Sequence, residues 1–185
     1  SNFIKMLDPP SNYIGPDKIF GDDEEKFISP LRPITDSEDI LPLNHKNHTP
    51  VYEIPESLKT AVRLFVLCRT IRIIQGKGRN HCSMMVNVSR FNSVQEEVRG
   101  KIYSYLKNLD EAIFLNANRG NDGLKNEHIK SIQKTYLEEY SEFYGNNFNN
   151  GWEDIQKNLI EASRSVIVQS VNMSSKKLDY QNNKE

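Results

Sequence analysis

Apolar residues recur at helical spacing over long stretches of this chain, and two short β-branched runs interrupt them. Leu58, Ala61, Val62, Phe65 and Cys68 follow one helical stripe, and Leu64, Val66, Leu67, Ile71, Ile73 and Ile74 widen it almost all round. A helix apolar on nearly every side is a buried one. Pro55 suits its first turn, where a missing N–H has no intrahelical acceptor to lose. Gly76 and Gly78 end it. Ser93-Val94-Gln95-Glu96 reads as a capping box, and Val94, Val98, Ile102, Leu106, Leu109 and Ile113 give the helix behind it a single stripe. The Gly-containing run 119–123 predicts a flexible break. Ile129, Ile132, Tyr136, Tyr140 and Phe143 place a third helix over 126–144. A Gly/Asn-rich loop follows at 145–151, then a fourth helix near 152–163.

The runs 83–88 and 166–171 are short, β-rich and flanked by polar residues, as buried strands are. The resulting order is helix, strand, three helices, strand and polar tail. It predicts an α/β chain of mostly helical content with short parallel strands. Two strands cannot close a sheet and are marginal alone, so a sheet partner is expected from a longer protein or from another copy. The start at Ser1-Asn2, without methionine, fits an excised piece of something longer. Residues 1–53 hold seven of the eight prolines, which excludes long helices and central strands there. They read as an extended strap, anchored by groups such as Tyr13, Phe20 and Leu31, ahead of an α/β domain over 54–185.

Charge changes this picture only locally. The formal net charge of −1 announces neither a polyanion nor a membrane partner. The first 50 residues lean acidic, whereas 59–107 carry Lys59, Arg63, Arg69, Arg72, Lys77, Arg79, Arg90, Arg99, Lys101 and Lys107 against Glu56, Glu96 and Glu97. Local basicity of this kind tracks phosphates. It equally describes the wet faces of two helices. Cys68 and Cys82 are the only cysteines and read as small core residues in a reducing compartment, not as a disulfide scaffold or zinc site. No apolar run approaches the roughly 20 residues of a membrane span, so a cytoplasmic chain is expected.

The best site candidate is Ser89-Arg90, at the carboxyl end of the first expected strand, where ligands of open parallel sheets gather. A hydroxyl and a guanidinium there suit phosphate oxygens. Arg90 could equally pair with Glu96 or Glu97 and steady the helix start. Asn172, with Ser174, forms a similar ledge after the second run. Gly76-Lys77-Gly78-Arg79-Asn80 has the composition of a phosphate cradle but follows a helix, where a Walker loop precedes one. A helix C-cap is the better reading, with a weak backbone contact through Lys77 and Arg79 as the other. His45-Lys46-Asn47-His48 lacks carboxylate or thiolate companions and reads as solvated histidines. No complete catalytic or metal constellation is visible.

At Ile54-Pro55-Glu56-Ser57-Leu58-Lys59-Thr60-Ala61, and again from His81 to Phe91, the chain resembles the "Z-one" domain family. Tyr13-Ile14-Gly15, Val171-Asn172-Met173-Ser174-Ser175 and Leu178-Asp179-Tyr180 extend the resemblance in the same order. Members are described as endonuclease-type domains joined to superfamily-two helicase ATPases in bacterial restriction and phage-defence loci. The resemblance implies that Ser83 opens the first strand of a partial RecA-like motor lobe. It implies that Ser89 and Arg90 contact DNA backbone, that Asn172 is a second ledge, and that residues 110–150 are a helical insertion. ATP and Mg would be bound by the parent protein and no cofactor by this piece, which would not be catalytic alone. DNA, the flanking motor domain and other defence subunits are the implied partners. The alternative is a helical interaction module that touches no nucleic acid.

Overall fold

The computed structural model describes Gly15, residues 31–140 and residues 151–172. The chain divides into two compact units, Ser1–Thr35 and Asp36–Glu185. In the first, the described residues, Gly15 and 31–35, carry no helix; residues 1–14 and 16–30 of the expected strap lie outside the described residues, and 36–53 belong to the second unit. The second unit is a helical bundle. It runs α1 (Ser37–Ile40), α2 (Glu56–Ile74), α3 (Asn92–Asn116), a 3-10 segment (Ala117–Lys125), α4 (Glu127–Glu139) and α5 (Trp152–Arg164).

Among the described residues there is no strand, so the expected α/β architecture and RecA-like lobe are overturned. The alternation that suggested strands is nonetheless real. Val86 and Val88 pack on the helical core while Met85 is 89% exposed; Val166 and Val168 pack inward while Ile167 is 60% exposed. Period-two alternation reports which side of an extended chain faces the core, but a sheet also needs a ladder. Neither run makes a ladder among the described residues. Their inward side chains dock on helices instead.

α2 is the central element and packs against α3, α4 and α5. Val62, Val66, Leu67 and Ile71 of α2 meet the whole expected stripe of α3, from Val94 to Ile113, every member of it buried. Ile129, Ile132 and Tyr136 of α4 and Ile155 and Leu159 of α5 complete the same core. The region expected as an insertion is therefore part of the core. Val51 and Ile54, ahead of α2, are also buried in it.

The expected flexible break is instead a packed corner. Residues 117–125 form the 3-10 segment, interrupted only where Gly120 takes φ 54°. A Cβ on Gly123 would stand 2.4 Å from the Asn116 carbonyl oxygen and 2.8 Å from Gln156 Nε2. Gln156 Nε2 in turn donates to the Gly120 carbonyl over 2.9 Å, fastening α5 to this corner. Asn126 then caps α4, its side chain accepting from the His128 and Ile129 amides. Of the loop expected at 145–151, only Gly151 is described, at the start of α5 with φ 56°; 145–150, and the end of the expected third helix at 141–144, lie outside the described residues.

Among the described residues one charged side chain is buried in the core. Arg63 of α2 is 7% exposed, and each of its guanidinium nitrogens has a partner. Nε donates to Thr135 Oγ1 of α4 (3.0 Å) and Nη1 to Tyr105 Oη of α3 (2.9 Å). Nη2 donates to Glu56 Oε1 and Thr60 Oγ1, both 2.7 Å. Burial works against the charge, but Glu56 and Tyr105 more than offset it, so the guanidinium stays ionised. Burial also pushes the Tyr105 phenol up. Arg69, two turns further on, donates to the Ala162 carbonyl and Ser165 hydroxyl, closing the carboxyl end of α5 with a cation.

At the amino end of α2 the cap comes from a distance. Asp36 Oδ2 accepts from the Ser57 amide over 2.9 Å, and the Ser57 hydroxyl and amide hold its carboxyl below the ordinary range. A depressed folded-state pKa stabilises above the unfolded value and is lost as pH falls through the folded one. Asp36→Ala should therefore lower the Tm at pH 7, and the gap to the parent chain should close on acidification below about pH 4. Arg63→Ala should cost about 2–4 kcal/mol, since three hydroxyls and a carboxylate lose a charged donor. Thermal denaturation should show a Tm drop on the order of 5–15 °C.

Candidate nucleic-acid interface

The helix start behind Ser89 and Arg90 is capped differently from the sequence expectation. α3 begins at Asn92 with Phe91 as N-cap, and no side chain caps it there. The expected capping box does not form, because both of its members are engaged elsewhere. Ser93 donates to the Asn47 carbonyl, and Glu96 pairs with Arg99 Nε at 2.9 Å. The chain is secured one step earlier. The Phe91 amide donates to Ser89 Oγ (3.0 Å), and Gln95 Nε2 donates to the Ser89 carbonyl (2.7 Å).

Ser89 has a second partner that its sequence neighbourhood did not announce. His45 Nε2 lies 2.8 Å from Ser89 Oγ, and His45 Nδ1 lies 2.8 Å from the Pro42 carbonyl. A carbonyl can only accept, so Nδ1 carries a proton, and in the neutral ring Nε2 accepts from the Ser89 hydroxyl. His45 is thus no solvated histidine. It is half-buried, edge-on to Phe91 with ring centroids 5.7 Å apart. His48 stays exposed beside Asn47. No spacing rule could pair His45 with a serine 44 positions away.

Arg90 is the group left open. It is exposed, its guanidinium carbon lies 4.9 Å from the Phe91 ring centroid, and it makes no ion pair among the described residues. The two carboxylates that could have claimed it are occupied: Glu97 accepts from the Val51 amide at 2.6 Å, and Glu96 serves Arg99. The Ser170 hydroxyl, then Arg99, hold Glu96 below the ordinary carboxylate range. Ser170, on the segment after α5, thus lies near the start of α3, with half-buried Asn172 two residues further on.

Lys77 and Arg79 are elsewhere. They sit at the other end of the extended run 83–88, beyond the carboxyl end of α2. There the Lys77 amide donates to the Arg72 carbonyl (2.7 Å) and the Gly76 amide to Ile73 (2.9 Å), with Gly76 at φ 72°. This is a Schellman cap, and it leaves both basic side chains exposed. Much of the basic character of 59–107 is structural: Arg63, Arg69 and Arg99 hold helices, and Lys59 pairs with Glu56. Among the described residues no group of three His, Cys, Asp or Glu side chains could hold a metal. No helix among them is long and apolar enough to cross a membrane.

Ser89→Ala removes both the His45 contact and the Phe91 cap, and should cost about 1 kcal/mol. Arg90→Ala should leave the Tm within about 2 °C, since its ring contact is exposed. Thermal melts of the two variants side by side test this division between a positioning serine and an open cation.

Comparison with solved structures and with curated proteins returns no match. Comparison with protein families returns one over residues 57–185, which takes in α2 to α5, Ser89, Arg90 and Asn172. On that match over more than half its length, the chain belongs to the Z1 domain family.

Proposed function

We propose that the amino end of α3 contacts the phosphodiester backbone of DNA through Arg90. The observation that carries this reading is an exposed guanidinium, held against Phe91 and free of carboxylates among the described residues, at the start of a 25-residue helix. The first amides of that helix meet no side-chain cap, so cation and helix dipole favour the same anion. Ser89 positions the arginine, because its hydroxyl is engaged by His45 and Phe91. Asn172 is the second contact in this reading, and Lys77 and Arg79 form a separate, weaker one. The wider proposal is a role in an ATP-dependent, helicase-type or endonuclease-type DNA-processing protein of restriction or phage defence. ATP and magnesium would there be bound by residues other than these.

A second reading, a helical interaction module, is favoured by a different observation. Met85, Leu43, Tyr52, Ile167 and Val171 are all large apolar residues more than half exposed. The two readings differ in salt response. Phosphate contacts weaken steeply with salt, and apolar docking does not. Titration against single- and double-stranded DNA at low and moderate salt should show salt-sensitive binding. Arg90→Ala should weaken it about 5-fold or more and reduce the slope of log K against log salt by about one. No binding at low salt, or an unchanged slope in the variant, would overturn the DNA reading.

A further inference from the structure

The contacts that hold Ser89 beside Arg90 also pair a hydroxyl with a base. Ser89 Oγ lies 2.8 Å from His45 Nε2, and the Pro42 carbonyl fixes the ring through its other nitrogen, also at 2.8 Å. The neutral imidazole is therefore held in the tautomer and orientation that a general base requires. The hydroxyl oxygen has two lone pairs, and the Phe91 amide takes one of them over 3.0 Å. The other is open to attack an electrophile. The Phe91 ring gathers the remaining groups. His45 stands edge-on to it at 5.7 Å between centroids, and the Arg90 guanidinium carbon lies 4.9 Å from its centroid. Hydroxyl, base and cation thus surround one residue, with Ser89 and His45 half-buried and Arg90 exposed.

We propose that Ser89 is a nucleophile toward phosphodiesters, activated by His45 and served by Arg90. The substrate class rests on the DNA reading above, in which Arg90 holds the phosphate. In the step, Ser89 Oγ attacks phosphorus while His45 Nε2 takes the hydroxyl proton. The Oγ–P bond forms, the bond from phosphorus to the leaving oxygen breaks, and His45 passes the proton to that oxygen. Arg90 offsets the negative charge that gathers on the phosphoryl oxygens. The products are a phosphodiester on Ser89 and a free hydroxyl on the displaced group. Atoms and protons balance without a further reactant.

Bis(p-nitrophenyl) phosphate is the probe, an anionic diester too small to need a DNA track. The full chain is incubated with it, nitrophenolate release is followed by absorbance, and the quenched chain is mapped by peptide mass spectrometry. The expected result is a first turnover that releases nitrophenolate and leaves nitrophenyl phosphate joined to Ser89. Ser89→Ala should give neither. His45→Gln should react at least about 100-fold more slowly, and added imidazole should restore part of the rate to His45→Ala. Arg90→Ala should lose about 10-fold or more. The map of the parent chain decides the point even where a variant does not fold. An unmodified chain, an adduct on another residue, or an unchanged rate in a folded His45→Gln chain would overturn the inference. Its failure is distinct from that of the DNA reading. Salt-sensitive DNA binding without an adduct sinks the nucleophile alone, whereas an adduct without DNA binding supports the nucleophile and sinks the DNA contact.

Discussion

The guanidinium of Arg63 is the constraint around which this bundle is arranged. An ionised group in a helical core is tolerated only if its donors are matched, and unmatched it is among the costliest things a fold can contain. Here the donors reach a threonine on α4, a tyrosine on α3, and a glutamate and a threonine on α2 itself. Three helices must therefore meet at one depth and one rotation, which apolar side chains alone would leave adjustable. Val66, Leu67, Leu109 and Ile132 supply cohesion; Arg63 supplies register. Glu56 remains largely in water while it serves the arginine, so only one member of the pair is desolvated.

The same economy appears at several helix ends, where the closing group is borrowed from another part of the chain. Asp36 closes α2, Arg69 closes α5, and the His45 loop with Ser89 fixes the approach to α3. Because these partners are distant in sequence, the ends form only when the bundle does. The chemistry at the start of α3 depends on that. Glu96 and Glu97 are drawn off by Arg99 and the Val51 amide, and Arg90 is left uncompensated as a result. An exposed cation here follows from where its rivals are held.

What could be read from the sequence follows from which forces are local. The stripe from Val94 to Ile113 is fixed by helical period and is buried throughout. The Gly76 terminus is likewise local, since only the residues from Arg72 to Lys77 are needed to build it. Sheet pairing is not local, so alternation in 83–88 could indicate an inward face but not a neighbouring strand. The capping box failed for a related reason. Ser93 and Glu96 have the right spacing, but Asn47 and Arg99 offer them alternatives. Arg90 was legible as a candidate, whereas its isolation was not, because that rests on residues from Val51 to Arg99. His45 was misread for want of any signal tying it to Ser89.

The Gly123 corner has a consequence that reaches well beyond it. The space there is bounded on one side by backbone, the Asn116 carbonyl, which cannot rotate away as a side chain could. The missing Cβ thus acts as a gauge that sets the gap between the end of α3 and the start of α5. These two helices are linked again further along, by Ser163 with Asp110, and the chain leaving α5 comes near α3 once more at Ser170 and Glu96. They behave as two arms of a lever with its pivot at the glycine. A single methyl group at the pivot would splay the arms, and the displacement would grow along an α3 roughly 37 Å long. The position of Arg90 would then be governed by an atom that is absent from beyond the opposite end of α3.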